Sequence, residues 1–146
     1  MIEKLPLPQK EYMRIYSKVP RPAVDLIIKT KNGIVLVKRG GNDLGPGKGK
    51  WHLPGKTIFY GETVKQAIER TAKNETGLKV KVRKFLGYKE YRIGVTFGFP
   101  LSLVFLAEAV SGKLHDSEGR EINVFKKLPK NIGFGHRELL KRAGYK

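Results

Sequence analysis

Three charged residues near the middle of the chain, Glu62, Arg70 and Glu75, have types and a spacing that could bind a cation. The segment from Thr63 to Thr76 has the pattern of an amphipathic helix, so Arg70 and Glu75 belong to one helix that Glu62 precedes. Glu75 then falls in the last turn, where the helix dipole disfavours an anion. A carboxylate there needs a compensating partner, and the sequence leaves open whether this is Mg²⁺, a lysine or simply water. The alternative is a solvated surface glutamate.

The elements that must position these residues predict a mixed α/β domain. Before the helix, two β-branched runs joined by Asn32-Gly33 predict an antiparallel hairpin. The helix has Thr63 as its cap, Gln66 three positions on, and Gly77 at its end. The remaining predictions are strands near 51–53, 57–60, 80–91, 101–110 and 122–125, and a short basic helix near 136–142. This order predicts an α/β fold, an α/β/α sandwich with a mixed β-sheet.

The composition predicts one domain that attracts anions. A chain of 146 residues buries roughly two-thirds of the surface that its unfolded form exposes, so we expect a single domain over residues 1–146. The absence of cysteine excludes a disulfide framework, a thiolate metal site and a thiol nucleophile, and it fits an intracellular compartment. No apolar run approaches the roughly 18 residues of a membrane span, and the N-terminus lacks the apolar core of a signal peptide. We therefore expect a soluble, cytoplasmic protein.

The net charge of +17 predicts attraction to nucleic acid or to anionic ligands such as nucleotides. The basic residues are spread along the whole chain, so a solvated basic surface is the alternative interpretation.

The motif around the central helix resembles the signature of the Nudix hydrolase superfamily. It comprises Trp51-His52-Leu53-Pro54-Gly55, Gly61-Glu62-Thr63, Arg70 and Glu75-Thr76-Gly77-Leu78. Five residues fall in register with the signature: Glu62, Arg70, Glu75, Gly77 and Leu78. The resemblance implies the Nudix fold, a divalent metal cofactor, and a nucleoside diphosphate derivative as substrate. It also implies a possible homodimer.

Three positions depart from that signature. Lys56 stands where the signature has glycine, and Thr71 and Asn74 stand where it has glutamate. One branch of the superfamily, the GDP-mannose mannosyl hydrolases, is similar to this chain in having non-acidic residues at the last two positions. With one acidic ligand left, the resemblance implies a single Mg²⁺ ion, held by Glu75 and a backbone carbonyl near Gly55 or Lys56.

The same branch implies roles for residues on neighbouring strands. Asp25 and Arg39 stand at the places where its members stabilise the leaving group, the aspartate through the nucleotide or a partner arginine and the arginine through the diphosphate. The alternatives are a hairpin aspartate paired with a lysine and a snorkelling surface arginine. Arg70 resembles the family's structural arginine, with Glu62 as its partner, and it is also a candidate for neutralising the substrate.

The general base is expected in the loop before the last predicted strand. The mannosyl hydrolases have a histidine there, whereas alignment on Phe125 places Arg120 at that position. We rank Glu121 first, Glu118 second and His115 third as the base.

Aromatic side chains on the predicted strands offer a surface for a purine base, although aromatic residues in strands also commonly belong to the core. The candidates are Tyr88, Tyr91, Phe97 and Phe99, with Tyr88 chosen as the substrate-binding residue. His52 and His136 are expected to be a strand residue and a helix-start residue, outside the chemistry.

Three functions follow from these observations. The first is a Mg²⁺-dependent hydrolase that releases the sugar of a nucleoside diphosphate sugar such as GDP-mannose by attack at carbon. The second is a pyrophosphohydrolase that attacks phosphorus in a nucleoside diphosphate derivative. The third is a catalytically degenerate Nudix domain that binds nucleotide or RNA. The residues at 71 and 74 favour the third, while the retained register of the signature and the lack of an RNA-recognition motif disfavour it.

Overall fold

The computed structural model describes residues 7–40, 47–116 and 120–146. In these parts of the chain the elements follow the order α1 (Gln9–Tyr16), β1 (Arg21–Thr30), β2 (Gly33–Lys38), β3 (Trp51–His52), β4 (Gly55–Thr57), α2 (Val64–Thr76), β5 (Leu78–Glu90), β6 (Pro100–Gly112), β7 (Ile122–Phe125) and α3 (His136–Arg142).

The strands form one mixed sheet with β1 at its centre. The order is β3-β2-β1-β6-β5, while β4 pairs with β1 and β7 pairs with β2. Strand β1 runs antiparallel to β2 and β4 and parallel to β6. The predicted hairpin is confirmed, and Gly33 at its turn has φ 135°, a conformation that favours glycine. The centre of the sheet therefore carries both the hairpin and the short strand β4.

Helices cover both faces of this sheet. Side chains alternate along a strand, so Leu26 faces one side and Ile27 the other. The side of Leu26 packs against Ala67, Ile68 and Ala72 of α2. The side of Ile27 packs with Leu139 and Leu140 of α3, in a second cluster. The α/β/α sandwich predicted from the sequence is confirmed.

The central helix forms as its sequence predicts. Thr63 accepts a hydrogen bond from the backbone N–H of Gln66, and the Gln66 side chain accepts one from the backbone N–H of Thr63. Gly77 ends the helix in the left-handed conformation, with φ 81°. These two caps fix where α2 starts and stops, and so place Glu75 in its last turn.

Two features differ from the sequence-based prediction. The strand expected near 57–60 is wrong: β4 covers Gly55–Thr57, and the chain then turns, with the N–H of Glu62 bonded to the carbonyl of Phe59 at 3.0 Å. The helix α1 was not predicted. It has no buried residue and no side-chain cap, so its sequence lacks the usual signals, and it is held partly by the Tyr12 hydroxyl at 2.5 Å from Thr57 Oγ1.

Among the described residues, no helix is both long and apolar enough to span a membrane.

Candidate active site

Two adjoining cavities open beside the paired strands β1 and β4. The first is lined by Asp25, Tyr91, Phe134 and His136, and the second by Tyr12, Glu75, Phe97 and Arg120. The lining residues common to both are Arg21, Arg39, His52, Gly55, Lys56 and Thr96. The shared wall is rich in cations, so the cavities suit an anionic ligand.

Gly55 lets the carboxylate of Asp25 lie directly against β4. The two residues pair across the antiparallel ladder. A Cβ atom at position 55 would lie 2.2 Å from Asp25 Oδ1 and 2.8 Å from the carbonyl oxygen of Val24. Because one of those atoms is backbone, a larger residue could not be accommodated by a side-chain rotation alone. Glycine at this position is therefore required by the close packing of the acid.

A chain of hydrogen bonds holds Asp25 from behind. The backbone N–H of Leu53 donates to His136 Nδ1 at 2.9 Å, so the proton of the neutral imidazole must sit on Nε2. That nitrogen lies 2.5 Å from the Tyr91 hydroxyl, which donates to Asp25 Oδ2 at 2.6 Å. Each proton in this series of hydrogen bonds therefore has one assignment: Leu53 donates to His136, His136 to Tyr91, and Tyr91 to Asp25. The backbone of Leu53 thus fixes the orientation of the carboxylate through two side chains.

Burial determines the protonation states of His136, Tyr91 and Asp25 in this series of hydrogen bonds. Desolvation and the nearby Lys89 ammonium lower the pKa of His136 to about 3, so the ring is neutral at pH 7. Desolvation raises the pKa of Asp25, and the hydrogen bond from Tyr91 opposes that shift. Burial and the Asp25 carboxylate together raise the pKa of the Tyr91 hydroxyl well above its usual value, which keeps it a donor.

His52 lies on the wall shared by the two cavities and is also buried, at 8% exposure. Its Nδ1 is 2.8 Å from the carbonyl oxygen of Leu53, which can only accept, so Nδ1 carries the proton. Burial and the positive groups around it lower the pKa of His52 to about 4. Its Nε2 atom is buried and has no hydrogen-bond partner in the described part of the chain.

Glu75 is the acid of the second cavity. It is 1% exposed, and its Oε2 accepts a hydrogen bond from Nη1 of Arg120. Thr71 lies one helical turn earlier on the same face and is fully buried, while Asn74 is exposed. With Thr71 and Asn74 in place of glutamates of the Nudix signature, Glu75 is the signature carboxylate that lines the cavity.

Glu75 is the carboxylate of the second cavity that could hold a divalent ion. Glu75 supplies a buried carboxylate that already neutralises one cation, and Gly55 and Lys56 line the same cavity. The described residues contain no group of three or more histidines, aspartates or glutamates that could hold a metal. A metal on Glu75 would have to replace the guanidinium of Arg120 at the carboxylate.

Cations line the rest of the wall. Arg21 donates to Thr57 Oγ1 at 3.1 Å and to the carbonyl oxygen of Phe97 at 2.8 Å. The guanidinium of Arg39 lies 5.4 Å from the centre of the Phe134 ring. With Lys56 and Arg120, the described residues bring four cationic side chains and two acids, Asp25 and Glu75, to the adjoining cavities.

Arg70 contacts Glu62, Thr57 and Phe59. Its Nε donates to Glu62 Oε2 at 2.7 Å and its Nη2 donates to the carbonyl oxygen of Thr57 at 2.7 Å. The guanidinium also lies 3.8 Å from the centre of the Phe59 ring. Burial would raise the pKa of Glu62, but the hydrogen bonds from Arg70 and the Phe59 backbone outweigh it and lower the pKa. The predicted pairing with Glu62 is confirmed, and Arg70 lines neither cavity.

The structure does not bring two of the candidate bases, Glu121 and His115, to the cavities. Glu121 is exposed and lines neither of them; its backbone carbonyl accepts from Lys38 at 2.8 Å. Glu118 lies outside the described residues. His115 is exposed beside the end of α2. Their assignment as the base stays a prediction, and the geometry gives Glu121 and His115 no support.

The aromatic candidates separate into two groups. Tyr91 and Phe97 line the cavities, whereas Tyr88 is 61% exposed on β5 and Phe99 is 44% exposed, and neither lines them. Substrate binding by Tyr88 is therefore a prediction without a described contact to the cavities.

Sequence reasoning missed several lining residues: Tyr12, Arg21, His52, Arg120 and His136. The alternation of side chains could have placed one of them, because His52 stands between apolar Trp51 and Leu53 and forms a short buried strand with Trp51. The others are brought in by contacts between residues far apart in the sequence.

The fold and the cation-lined cavities beside α2 define a Nudix-type domain. Residues 19–142 match the family model of the NUDIX domain, so the chain belongs to the NUDIX family.

Among curated proteins, the chain is 38% identical over 135 residues to the ADP-ribose pyrophosphatase of Methanocaldococcus jannaschii, covering 90% of this chain and 76% of that protein. It is 35% identical over 85 residues to the low-salt glycan biosynthesis protein Agl8 of Haloferax volcanii, covering 58% and 53%. These relatives do not confirm the particular likeness to GDP-mannose mannosyl hydrolases.

Solved structures agree with the fold. The MutT NUDIX hydrolase of Burkholderia pseudomallei matches with a TM-score of 0.71 at 24% identity, covering 86% of this chain and 98% of that one. The NUDIX domain of Shewanella oneidensis NrtR, solved with ADP ribose, matches with a TM-score of 0.68 at 18% identity, covering 94% and 97%.

Proposed function

We propose that this protein hydrolyses the diphosphate of a nucleoside diphosphate joined to a sugar, with ADP-ribose as the first compound to test. The observation that carries the proposal is the pair of adjoining cavities, where the described lining residues include four cations, Arg21, Arg39, Lys56 and Arg120, and two acids, Asp25 and Glu75. A diphosphate diester carries two negative charges at neutral pH, and this excess of cations can neutralise them. The identity to the ADP-ribose pyrophosphatase supports the choice of compound.

In this reaction water forms a new bond to phosphorus and the bridging oxygen leaves with its electron pair. ADP-ribose would give AMP and ribose 5-phosphate. Charge grows on the phosphate oxygens during attack, and fixed cations in a partly buried site stabilise that charge more than solvent does. Arg39 and Lys56 line both cavities, so they can contact a diphosphate in either one.

Asp25 is the acid best placed to receive the proton of the attacking water. It faces the first cavity, and burial raises the pKa of its carboxyl towards the range of useful bases. Tyr91 and His136 hold it in one orientation. This role differs from the support of the leaving group that the sequence resemblance implies for Asp25, and the pH dependence of turnover separates them.

Mg²⁺ belongs to the proposal as the family's expected cofactor. Glu75 would hold it, with backbone carbonyls near Gly55 and Lys56, and the bound ion would act as a Lewis acid towards a phosphoryl oxygen. Glu75 is also the acid that Arg120 engages, so ion binding requires that pair to open.

The test is a set of reactions in ¹⁸O-labelled water with ADP-ribose and GDP-mannose, each with and without Mg²⁺, followed by mass spectrometry of the products. Label in a phosphate of AMP or ribose 5-phosphate supports the proposal. Label in a free sugar would show attack at carbon and support the GDP-mannose type of reaction instead. Glu75→Gln, which keeps the shape of the side chain, should lose Mg²⁺-dependent turnover.

No turnover of either compound, together with tight nucleotide or RNA binding, would contradict the proposed hydrolysis and favour a binding domain. The same preparation can be tested for a homodimer by light scattering.

A further inference from the structure

His52 lines both cavities and carries an acceptor nitrogen whose hydrogen bonding the described residues leave incomplete. His136, Tyr91 and Asp25 satisfy one another on the floor of the first cavity. His52 uses Nδ1 on the Leu53 carbonyl, while its Nε2 has no partner within the described ranges. A buried polar atom without a partner costs stability, and a ligand that supplies a hydrogen-bond donor recovers that cost.

The direction of this missing bond is fixed. The Leu53 carbonyl can only accept, so Nδ1 is the protonated nitrogen and Nε2 presents a lone pair. The ring packs edge-on against Phe134 at 5.6 Å and against His136 at 6.3 Å between centres. These contacts and the bond to Leu53 hold the ring in place, so a hydrogen-bond donor must approach Nε2 along a fixed direction.

As a hydrogen-bond acceptor, Nε2 can bind some parts of a nucleoside diphosphate sugar and not others. A diphosphate diester has no proton to donate at neutral pH, and its negative oxygens repel a lone pair. Arg39 and Lys56 on the same wall attract those oxygens. The donors nearest to a diphosphate in such a ligand are the hydroxyl groups of its sugars.

Two other roles for His52 fit less well. A general base is most effective when its pKa is near the working pH, and the pKa of His52 is lowered to about 4 by burial. A divalent ion at Nε2 would find no carboxylate among the described residues of the shared wall, whose charged side chains are cations.

We propose that Nε2 of His52 accepts a hydrogen bond from a sugar hydroxyl of the bound nucleoside diphosphate sugar, and so selects sugar-bearing ligands over bare diphosphate. The inference rests on the proposed function, because it takes the diphosphate to lie on the neighbouring cations. His52 acts here as a specificity-determining residue.

Two substitutions separate the nitrogen atoms of the ring. In His52→Asn the amide N–H can replace Nδ1–H on the Leu53 carbonyl, while the acceptor at the position of Nε2 is lost. In His52→Gln the longer side chain can place an amide oxygen near the position of Nε2. The pair therefore tests the acceptor while the size and polarity of the residue change little.

The experiment is isothermal titration with Mg²⁺ present, using ADP-ribose in which a methylene group replaces the bridging oxygen, so that hydrolysis at phosphorus cannot occur. The matched ligand without sugar is methylenebisphosphonate with one methyl ester on each phosphorus, called methylenebisphosphonate below, which like the analogue has no proton to donate at neutral pH. We expect His52→Asn to weaken binding of the ADP-ribose analogue about five- to thirtyfold and to leave methylenebisphosphonate unchanged. His52→Gln should retain most of the affinity. Thermal unfolding of each variant checks that it is folded.

Equal weakening of both ligands by His52→Asn would overturn the inference, because it would show a role in packing or in the phosphate seat. Unchanged affinity for both would overturn it as well and leave the proposed function intact. A wild-type protein that binds neither ligand would overturn the proposed function and the inference together.

Discussion

Arg120 donates a hydrogen bond to Glu75, the acid expected to hold the metal, from a position 45 residues away in the chain. Both side chains are buried, at 11% and 2% exposure. A buried carboxylate needs a compensating charge, so the guanidinium and a divalent ion compete for the same oxygen atoms. The pair makes metal binding a replacement of one cation by another.

Arg120→Gln should therefore make the protein more responsive to Mg²⁺. Without the guanidinium, Glu75 is a buried carboxylate that lacks this compensating charge, which destabilises the metal-free protein by about 3 kcal/mol. Mg²⁺ should then raise the unfolding temperature of Arg120→Gln more than that of the wild type, as followed by differential scanning fluorimetry across a Mg²⁺ titration.

The matched control for this titration is Arg83→Gln. Arg83 pairs with Glu108 at 3.1 Å, but both are largely exposed, so the variant should respond to Mg²⁺ as the wild type does. Equal thermal shifts in Arg120→Gln and the wild type would show that the ion does not bind at Glu75.

Tyr91→Phe removes the hydroxyl that joins Asp25 to His136. Its loss leaves His136 Nε2–H and Asp25 Oδ2 each without that partner in a buried place, and it should lower the free energy of unfolding by about 1–3 kcal/mol. Urea unfolding at pH 7.5 measures this change. Tyr88→Phe makes the same chemical change at an exposed side chain and should alter stability by less than about 0.5 kcal/mol. Similar losses in both variants would contradict the buried hydrogen-bond chain.

The start and the end of helix α2 are determined by residues close to them in the sequence. Thr63, Gln66 and Gly77 cap it through bonds that span a few residues, and these bonds can be predicted from spacing. The pairing of Arg70 with Glu62 is equally local, since they are eight residues apart. Most of the fold and one acid of the site could be predicted in this way.

The rest of the site is assembled by contacts that no local pattern encodes. Leu53 and His136 are 83 residues apart, and Tyr91 is 66 residues from Asp25. The parallel pairing of β1 with β6 and the return of α3 create these contacts. The sequence therefore predicts His136 as a helix-start residue only, although it holds the Tyr91 hydroxyl that donates to Asp25. Arg120 was predicted as a replacement for a histidine, although it reaches Glu75.

Acid should destabilise the protein through its two buried histidines. The pKa of His136 is about 3 and that of His52 about 4 in the folded state, against about 6.5 when unfolded. Between these values the unfolded chain binds protons that the folded chain does not, so the free energy of unfolding falls as pH drops below about 6.5. Two protons give a slope of up to about 2.7 kcal/mol per pH unit. The raised pKa of Asp25 acts in the opposite direction and offsets part of this slope in its own range.

Urea unfolding at pH 7.5, 6.0 and 5.0 measures this slope. His52→Asn removes one of the two protons, so its stability should fall less steeply with acid than that of the wild type, by up to about 1.4 kcal/mol per pH unit. Identical slopes for the two proteins would show that His52 is not held neutral by the fold.

Arg70→Lys tests whether the arginine of the Nudix signature stabilises the fold or binds the ligand. A lysine cannot bond Glu62 and the Thr57 carbonyl together in the planar geometry of a guanidinium, nor stack as well on Phe59. Stability in urea should fall by about 1–3 kcal/mol, because Glu62 is largely buried and loses part of its hydrogen bonding.

The affinity of the same variant for the methylene analogue of ADP-ribose should stay within about twofold of the wild type, because Arg70 lines neither cavity. Arg83→Lys supplies the matched change at an exposed ion pair, where stability should move by less than about 0.5 kcal/mol. A large loss of affinity in Arg70→Lys at unchanged stability would reverse the assignment and place the guanidinium on the diphosphate. Loss of stability alone means that the arginine acts by tying α2 to the turn after β4, which fixes the helix that carries Glu75.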